Sequence, residues 1–286
     1  VTNVETLRFD DGDIGVSLDT NGLVLTGSGE VDNIKIVGSV AVTVLGQDKA
    51  DTLVGSTGDD IIDGGAGNDT LDGGAGGDLL TGGAGNDTID GGDGTDVAVF
   101  AGNLKDYTFA SSANGLTVTV TDTKTGDADT VTGVETLRFA GGVDIGVSRD
   151  STDGHMILTG TDAADSITIV GDVGIEVPGT DGADILTGGA GDDDIEGAVG
   201  NDTIAGGAGS DTLDGGADND ILSGDAGSDT IDGGDGADIA KFAGKQADYT
   251  FASSSDGKTI TVTHVATSDA DTVTNVETLR FDDGDI

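Results

Sequence analysis

An apolar side chain returns every nine residues in two separate stretches of this chain. The first runs Leu53, Ile62, Leu71, Leu80, Ile89 and ends on Ala98; the second runs Leu186, Ile195, Ile204, Leu213, Leu222, Ile231 and ends on Ala240. Nine residues is neither a helical face nor a simple strand alternation. A central apolar residue in a three-residue strand points one side chain inward. Glycine and aspartate fill the intervals, so the pattern predicts short strands joined by turns and stacked coil on coil, each burying its stripe against its neighbours. A different pattern follows each array. Tyr107, Phe109, Val118 and Val120 alternate with polar residues around Asn114-Gly115, which predicts a β-hairpin, and the second copy turns on Asp256-Gly257.

The polar part of the repeat is as regular as the apolar part. Gly82-Gly83-Ala84-Gly85-Asn86-Asp87-Thr88-Ile89-Asp90 and Gly206-Gly207-Ala208-Gly209-Ser210-Asp211-Thr212-Leu213-Asp214 are clean copies. Glycine at the first, second and fourth places permits positive φ and turns carbonyl oxygens toward one point. Aspartate at the sixth place adds a short carboxylate at the end of the turn. This phrase, G-G-x-G-x-D-x-U-x, resembles the calcium-binding nonapeptide of the RTX (hemolysin-type) family. That resemblance implies an all-β fold of right-handed parallel β-roll solenoids with calcium between coils, alternating here with short antiparallel segments and hairpins. It implies two nonapeptides per coil, with ions between turns stacked on the same edge.

Partnerships are therefore expected at 18-residue intervals. Asp51, Asp69 and Asp87 fall on one edge of the first array, with Asp32 one irregular step before, and Asp60, Asp78 and Asp96 fall on the other. In the second array Asp165, Asp184, Asp202, Asp220 and Asp238 share an edge, opposite Asp193, Asp211 and Asp229. Carbonyl ligands are expected near Gly55, Gly58, Gly64, Gly65, Gly67, Gly73, Gly74, Gly76, Gly82, Gly83 and Gly85. The second array offers Gly188, Gly189, Gly191, Gly197, Gly200, Gly206, Gly207, Gly209, Gly215, Gly216, Gly224 and Gly227. Counting adjacent aspartate pairs gives roughly eleven ions. Oxygen-only ligands on flexible loops suit calcium better than magnesium, and zinc prefers His or Cys. The weakest repeats are those with Thr after Gly160 and Gly179, with Ser56, with Ala198 or Asp225 at the second place, and with Asp218 at the fourth.

Composition sharpens this picture. Formal net charge is −44, and 49 of the 55 acidic residues are Asp. Self-repulsion on that scale opposes compaction unless cations offset it; about eleven divalent ions would carry about +22. With 3% aromatic residues and no Trp, the core must be thin layers of Leu, Ile and Val. Phe100 and Phe242, just past the last coils, are the expected caps. No basic patch exists, so nucleic acid is not an expected partner. No run of 18 apolar residues suggests a membrane span. No catalytic residue or organic cofactor is expected: H-E-x-x-H and G-x-S-x-G are absent, there is no Cys, and His155 and His264 lie outside the repeats.

A longer period encloses the short one. Val1 to Ile14 reads VTNVETLRFDDGDI, Val273 to Ile286 repeats it, and Phe9, Phe139 and Phe281 stand 130 and 142 residues apart. The expected organisation is a first repeat unit over 1–134 with its β-roll at about 27–99, and a second over 135–276 with its β-roll at about 160–241. Residues 277–286 begin a third unit, as expected of a segment from a longer tandem protein. The resulting expectation is a non-enzymatic, calcium-dependent structural or adhesive module of a large secreted bacterial surface protein, of adhesin-stalk or surface-layer type. The family resemblance implies type I export. The expected partners are calcium and neighbouring repeat units, with self-assembly or cell-surface glycans beyond them. The alternative is an accessory region of a type I-secreted exoenzyme or toxin whose catalytic domain lies elsewhere.

Overall fold

A computed structural model describes residues 6–9, 12–18, 22–151 and 155–286. Residues 1–5, 10 and 11 of the N-terminal phrase therefore lie outside the described set. The described residues form strands with two short 3-10 turns, Leu104–Asp106 and Gln246–Asp248, and no α-helix. They fall into two compact units, one from Val1–Tyr107 with Leu116–Val147 and one from Thr108–Gly115 with Ser148–Ile286.

In the first unit, two parallel ladders carry the two faces of a solenoid. One stacks Asn33–Lys35, Thr52–Val54, Thr70–Gly76 and Thr88–Gly94, with Ile34, Leu53, Leu71 and Ile89 in register. The other stacks Leu23–Thr26, Val42–Asp48, Ile61–Ala66, Leu79–Ala84 and Val97–Val99, aligning Leu25, Val44, Ile62, Leu80 and Ala98. The stripe from Leu53 to Ala98 is wholly buried, and removing one Leu or Ile side chain from water contributes about 1.5–3 kcal/mol. The second unit repeats the plan. Ile167, Leu186, Ile204, Leu222 and Ala240 align on one face, and Val177, Ile195, Leu213 and Ile231 on the other.

The stacks reach beyond the nonapeptides at both ends. Parallel pairing already begins at Leu23–Thr26 and Met156–Thr159, upstream of residues 27 and 160. Downstream, Ala128–Thr132 lies parallel to Thr88–Gly94, and Thr136–Phe139 lies parallel to Val97–Val99. Ala270–Thr274 and Thr278–Phe281 do the same in the second unit. VETLRF thus closes the array that precedes it, so a boundary drawn at 134/135 falls inside this cap. The physical reason is Leu137: it is fully buried on the end of the stripe, in register with Ala98.

Among the described residues, antiparallel strands sit in these caps and at the entrances. Thr117–Asp122 pairs with Ala128–Thr132, and Tyr249–Ser253 pairs with Thr259–His264 around Asp256-Gly257. Aromatic rings seal the coil ends. Phe100 packs on Phe139 and Tyr107 with ring centroids 5.3 and 5.6 Å apart, and Phe242 packs on Phe281 and Tyr249 at 5.4 and 5.7 Å.

Candidate metal centre

Each repeat aspartate ends a turn and immediately precedes a strand, which fixes its side chain at the coil edge. Its Oδ1 is committed to the main chain one coil back. Asp51 N–H donates to Asp69 Oδ1 at 2.8 Å, and Asp69 N–H donates to Asp87 Oδ1 at 2.8 Å. On the other edge Asp60 N–H reaches Asp78 Oδ1, and Asp78 N–H reaches Asp96 Oδ1, both at 2.7 Å. The second unit continues the pattern from Asp184 to Asp202 and on to Asp220 and Asp238, and from Asp193 to Asp211 and Asp229. The 19-residue steps, Asp32 to Asp51 and Asp165 to Asp184, are bridged alike. The structure thus brings all fifteen aspartates into the two-edge stacks that the 18-residue interval implies. All are buried, none more than 7% exposed.

The second oxygen divides them. In Asp51, Asp69, Asp78, Asp87, Asp96, Asp202, Asp211, Asp220, Asp229 and Asp238 the buried Oδ2 has no hydrogen-bond partner. In the other five a main-chain N–H four residues upstream occupies it. Ser28, Thr161 and Gly189 donate to Asp32, Asp165 and Asp193, Ser56 to Asp60, and Thr180 to Asp184. What separates the classes is the handedness of that upstream residue, the second place of the repeat. It has positive φ in all ten open cases, including Gln47, Ala198 and Asp225, and in none of the five closed ones. A left-handed residue turns its N–H away from the carboxylate and leaves the oxygen bare.

Beside the bare oxygens of Asp51, Asp69, Asp78, Asp96, Asp202, Asp220 and Asp238 lies a cradle of main chain. A methyl group built on Gly64 would strike Asp69 Oδ2 and lie 2.7 Å from the Gly82 carbonyl oxygen. The same is true of Gly197, where Asp202 Oδ2 and the Gly215 carbonyl oxygen each lie 2.5 Å away. Only glycine keeps that space free. Gly65 shows the second requirement: its φ is +99°, and any Cβ would run into the Gln47 carbonyl of the coil before it. First-place carbonyls of Gly64, Gly82, Gly91 and Gly215 point into cradles and those of Gly73 and Gly206 lie beside the covered Asp60 and Asp193, whereas Gly65, Gly67 and Gly209 offer carbonyls beneath later glycines. Among the described residues no three acidic or imidazole side chains converge. Each cradle is therefore built from at most two acidic side chains, and main-chain carbonyls supply the rest of the oxygen set. That composition fits a hard cation with many oxygen ligands and a flexible shell, and it does not fit zinc.

The electrostatics agree. Burial pushes Asp78, Asp87, Asp184, Asp211 and Asp220 up to about 6, with neighbouring carboxylates adding to it. A group pressed this hard toward neutrality lacks a counter-charge. His264 packs against Tyr249 at 5.0 Å and bonds Thr267, apart from every cradle.

Four acids outside the repeats join the stacks and were not legible as candidates. Asp129 Oδ1 accepts from Asp87 N–H at 2.8 Å, and Asp271 Oδ1 accepts from Asp229 N–H at 3.0 Å. Glu135 and Glu277 accept from Asp96 and Asp238 in the same way, each at 2.8 Å. The local signal was present in Asp-Thr-Val and Glu-Thr-Leu, which mimic the Asp-Thr-Leu of the repeat. Their spacing from the array, 42 and 39 residues, hid it.

The repeat sequence also matches a known family model. The RTX calcium-binding nonapeptide repeat model matches residues 45–80, 72–99, 178–213 and 205–240. No curated protein matches the chain. Among solved structures, extracellular lipase LipA from Serratia marcescens aligns at 20% identity with a TM-score of 0.22, over 84% of this chain and 38% of the lipase. This chain is therefore similar to well under half of that lipase's length. Residues 45–99 and 178–240 of the chain are RTX calcium-binding nonapeptide repeats.

Proposed function

We propose that this chain is a calcium-gated structural module of a secreted bacterial surface protein, with no catalytic role of its own. The observation that carries this reading is the set of ten buried carboxylate oxygens without a partner. Leaving one buried polar group unsatisfied costs about 1–3 kcal/mol, more when it is charged. Ten such groups outweigh or equal the 5–15 kcal/mol that stabilises an ordinary domain. The fold therefore needs the cation that these oxygens and the glycine carbonyls of the following coil would hold. Calcium supplies two positive charges per cradle and binds the folded form alone, so its binding free energy becomes folding free energy.

In a calcium-poor cytosol the carboxylates repel and the chain stays extended enough for type I export. Outside the cell, millimolar calcium closes the cradles. Two arrays, each sealed by its own hairpin and aromatic cap, suit a tandem stalk or surface layer better than the accessory tail of an exoenzyme. Far-ultraviolet circular dichroism tests the gate: a largely unfolded spectrum in chelator, a β spectrum with millimolar calcium, and no rescue by equal magnesium. A β spectrum in chelator overturns the reading. Electron microscopy of the calcium-loaded protein separates the two surface roles, because ordered two-dimensional arrays form only from a lattice protein.

A further inference from the structure

The cradles of Asp51, Asp69, Asp78, Asp202 and Asp220 take a carbonyl from the coil that follows, so the last aspartate on such an edge should be left incomplete. Asp96 and Asp238 are the last repeat aspartates of their units, and no nonapeptide follows either one. Both are nonetheless 0% exposed, and the Oδ2 of each has no partner. A methyl group built on Gly91 would lie 2.7 Å from Asp96 Oδ2 and would strike the carbonyl oxygen of Gly133, in the cap. In the second unit a methyl on Gly233 would lie 2.8 Å from Asp238 Oδ2 and strike the carbonyl oxygen of Asn275. Gly133 and Asn275 both adopt left-handed backbone, with φ of +60° and +49°, which glycine and asparagine tolerate best. Two residues on, Glu135 and Glu277 take the N–H of Asp96 and Asp238 at 2.8 Å, the place held elsewhere by the next repeat aspartate.

We propose that each cap completes one further divalent-cation site that no nonapeptide count includes. Asp96 Oδ2 and the Gly133 carbonyl are its ligands in the first unit, and Asp238 Oδ2 and the Asn275 carbonyl in the second. Glu135 and Glu277 are positioning residues: they hold the main chain of the ligating aspartate and add negative charge beside the site. The cap is then a false coil, with a step of six residues from Asp129 to Glu135 instead of nine, and the cation clamps it to the array. The ligand chemistry is that of the inter-coil cradles, so this inference rests on the calcium reading.

Crystals of the full chain grown with calcium test it by anomalous scattering. Peaks are expected between nonapeptide coils, and also within ligand distance of Asp96 Oδ2 with Gly133 O and of Asp238 Oδ2 with Asn275 O. Filled inter-coil positions with empty cap positions overturn this inference and leave the calcium reading intact; no peak anywhere overturns both. In solution, the double variant Glu135→Gln, Glu277→Gln keeps a hydrogen-bond acceptor and removes the charge. Native mass spectrometry across a calcium titration should show two ions weakened about 10- to 100-fold, as for other groups that orient metal ligands, with the remainder unchanged. An unaltered titration overturns the positioning role of the two glutamates.

Discussion

At the scale of single residues, the second place of the repeat decides what its aspartate can do. A left-handed residue there bares Oδ2, and a right-handed or extended one covers it with an N–H. In the first unit Ser28 and Ser56 both cover their aspartates, and Ser56 N–H holds Asp60 at 2.5 Å. Ser56→Gly permits the left-handed turn, so the variant should gain one tightly bound calcium, counted by native mass spectrometry; an unchanged count contradicts the handedness rule. Ala198 pays the opposite cost, sitting at φ 71° with a Cβ. Left-handed backbone costs a non-glycine residue about 1–2 kcal/mol, so Ala198→Gly should stabilise the calcium-loaded protein by about 1 kcal/mol in urea unfolding. The register of the fifteen aspartates was legible because spacing alone determines it. Handedness was not, since Gln47, Ala198 and Asp225 turn left without being glycine, while Gly189 does not turn left. Pair counting treats all fifteen aspartates alike, whereas Oδ2 is covered in Asp32, Asp60, Asp165, Asp184 and Asp193 and bare in the other ten.

At the scale of elements, three-residue strands are held by what lies above and below them. Leu71 has Leu53 and Ile89 as ladder neighbours and is fully buried. Leu71→Ala should destabilise the loaded fold by about 2–5 kcal/mol, read from the urea midpoint; a loss under about 1 kcal/mol would mean the stripe is not the core. The caps show where sequence reading stopped. Phe100 and Phe242 were recognisable as end stops because a bulky ring follows a stripe ending in Ala. The false coil was not, because Asp129 and Glu135 stand six residues apart and the chain detours through the Thr117–Asp122 strand before Ala128–Thr132 pairs onto the array. Chain order disguised a neighbour that the parallel ladder makes plain.

At the scale of the whole molecule, the charge of −44 and the aspartate stacks act together. An aspartate raised from 3.8 to about 6 by burial, as Asp87 is, keeps its proton longer when folded than when unfolded. Its contribution is therefore fully present below about pH 4 and disappears as pH rises through about 6. Without calcium the protein should be most stable near pH 4 and lose stability toward pH 7, followed by circular dichroism in chelator. Calcium reverses the slope, because binding displaces those protons and strengthens as pH rises. A calcium-free stability that increases from pH 4 to 7 would contradict the assignment of unpaired buried carboxylates.

The most direct test of calcium as the folding energy is the free energy of urea unfolding measured against the logarithm of free calcium. Linkage makes the slope equal to the number of ions released on unfolding. Five bare carboxylate oxygens in each unit predict a slope of about five ions per unit, with no folded baseline left in chelator. A stability independent of calcium would contradict the account.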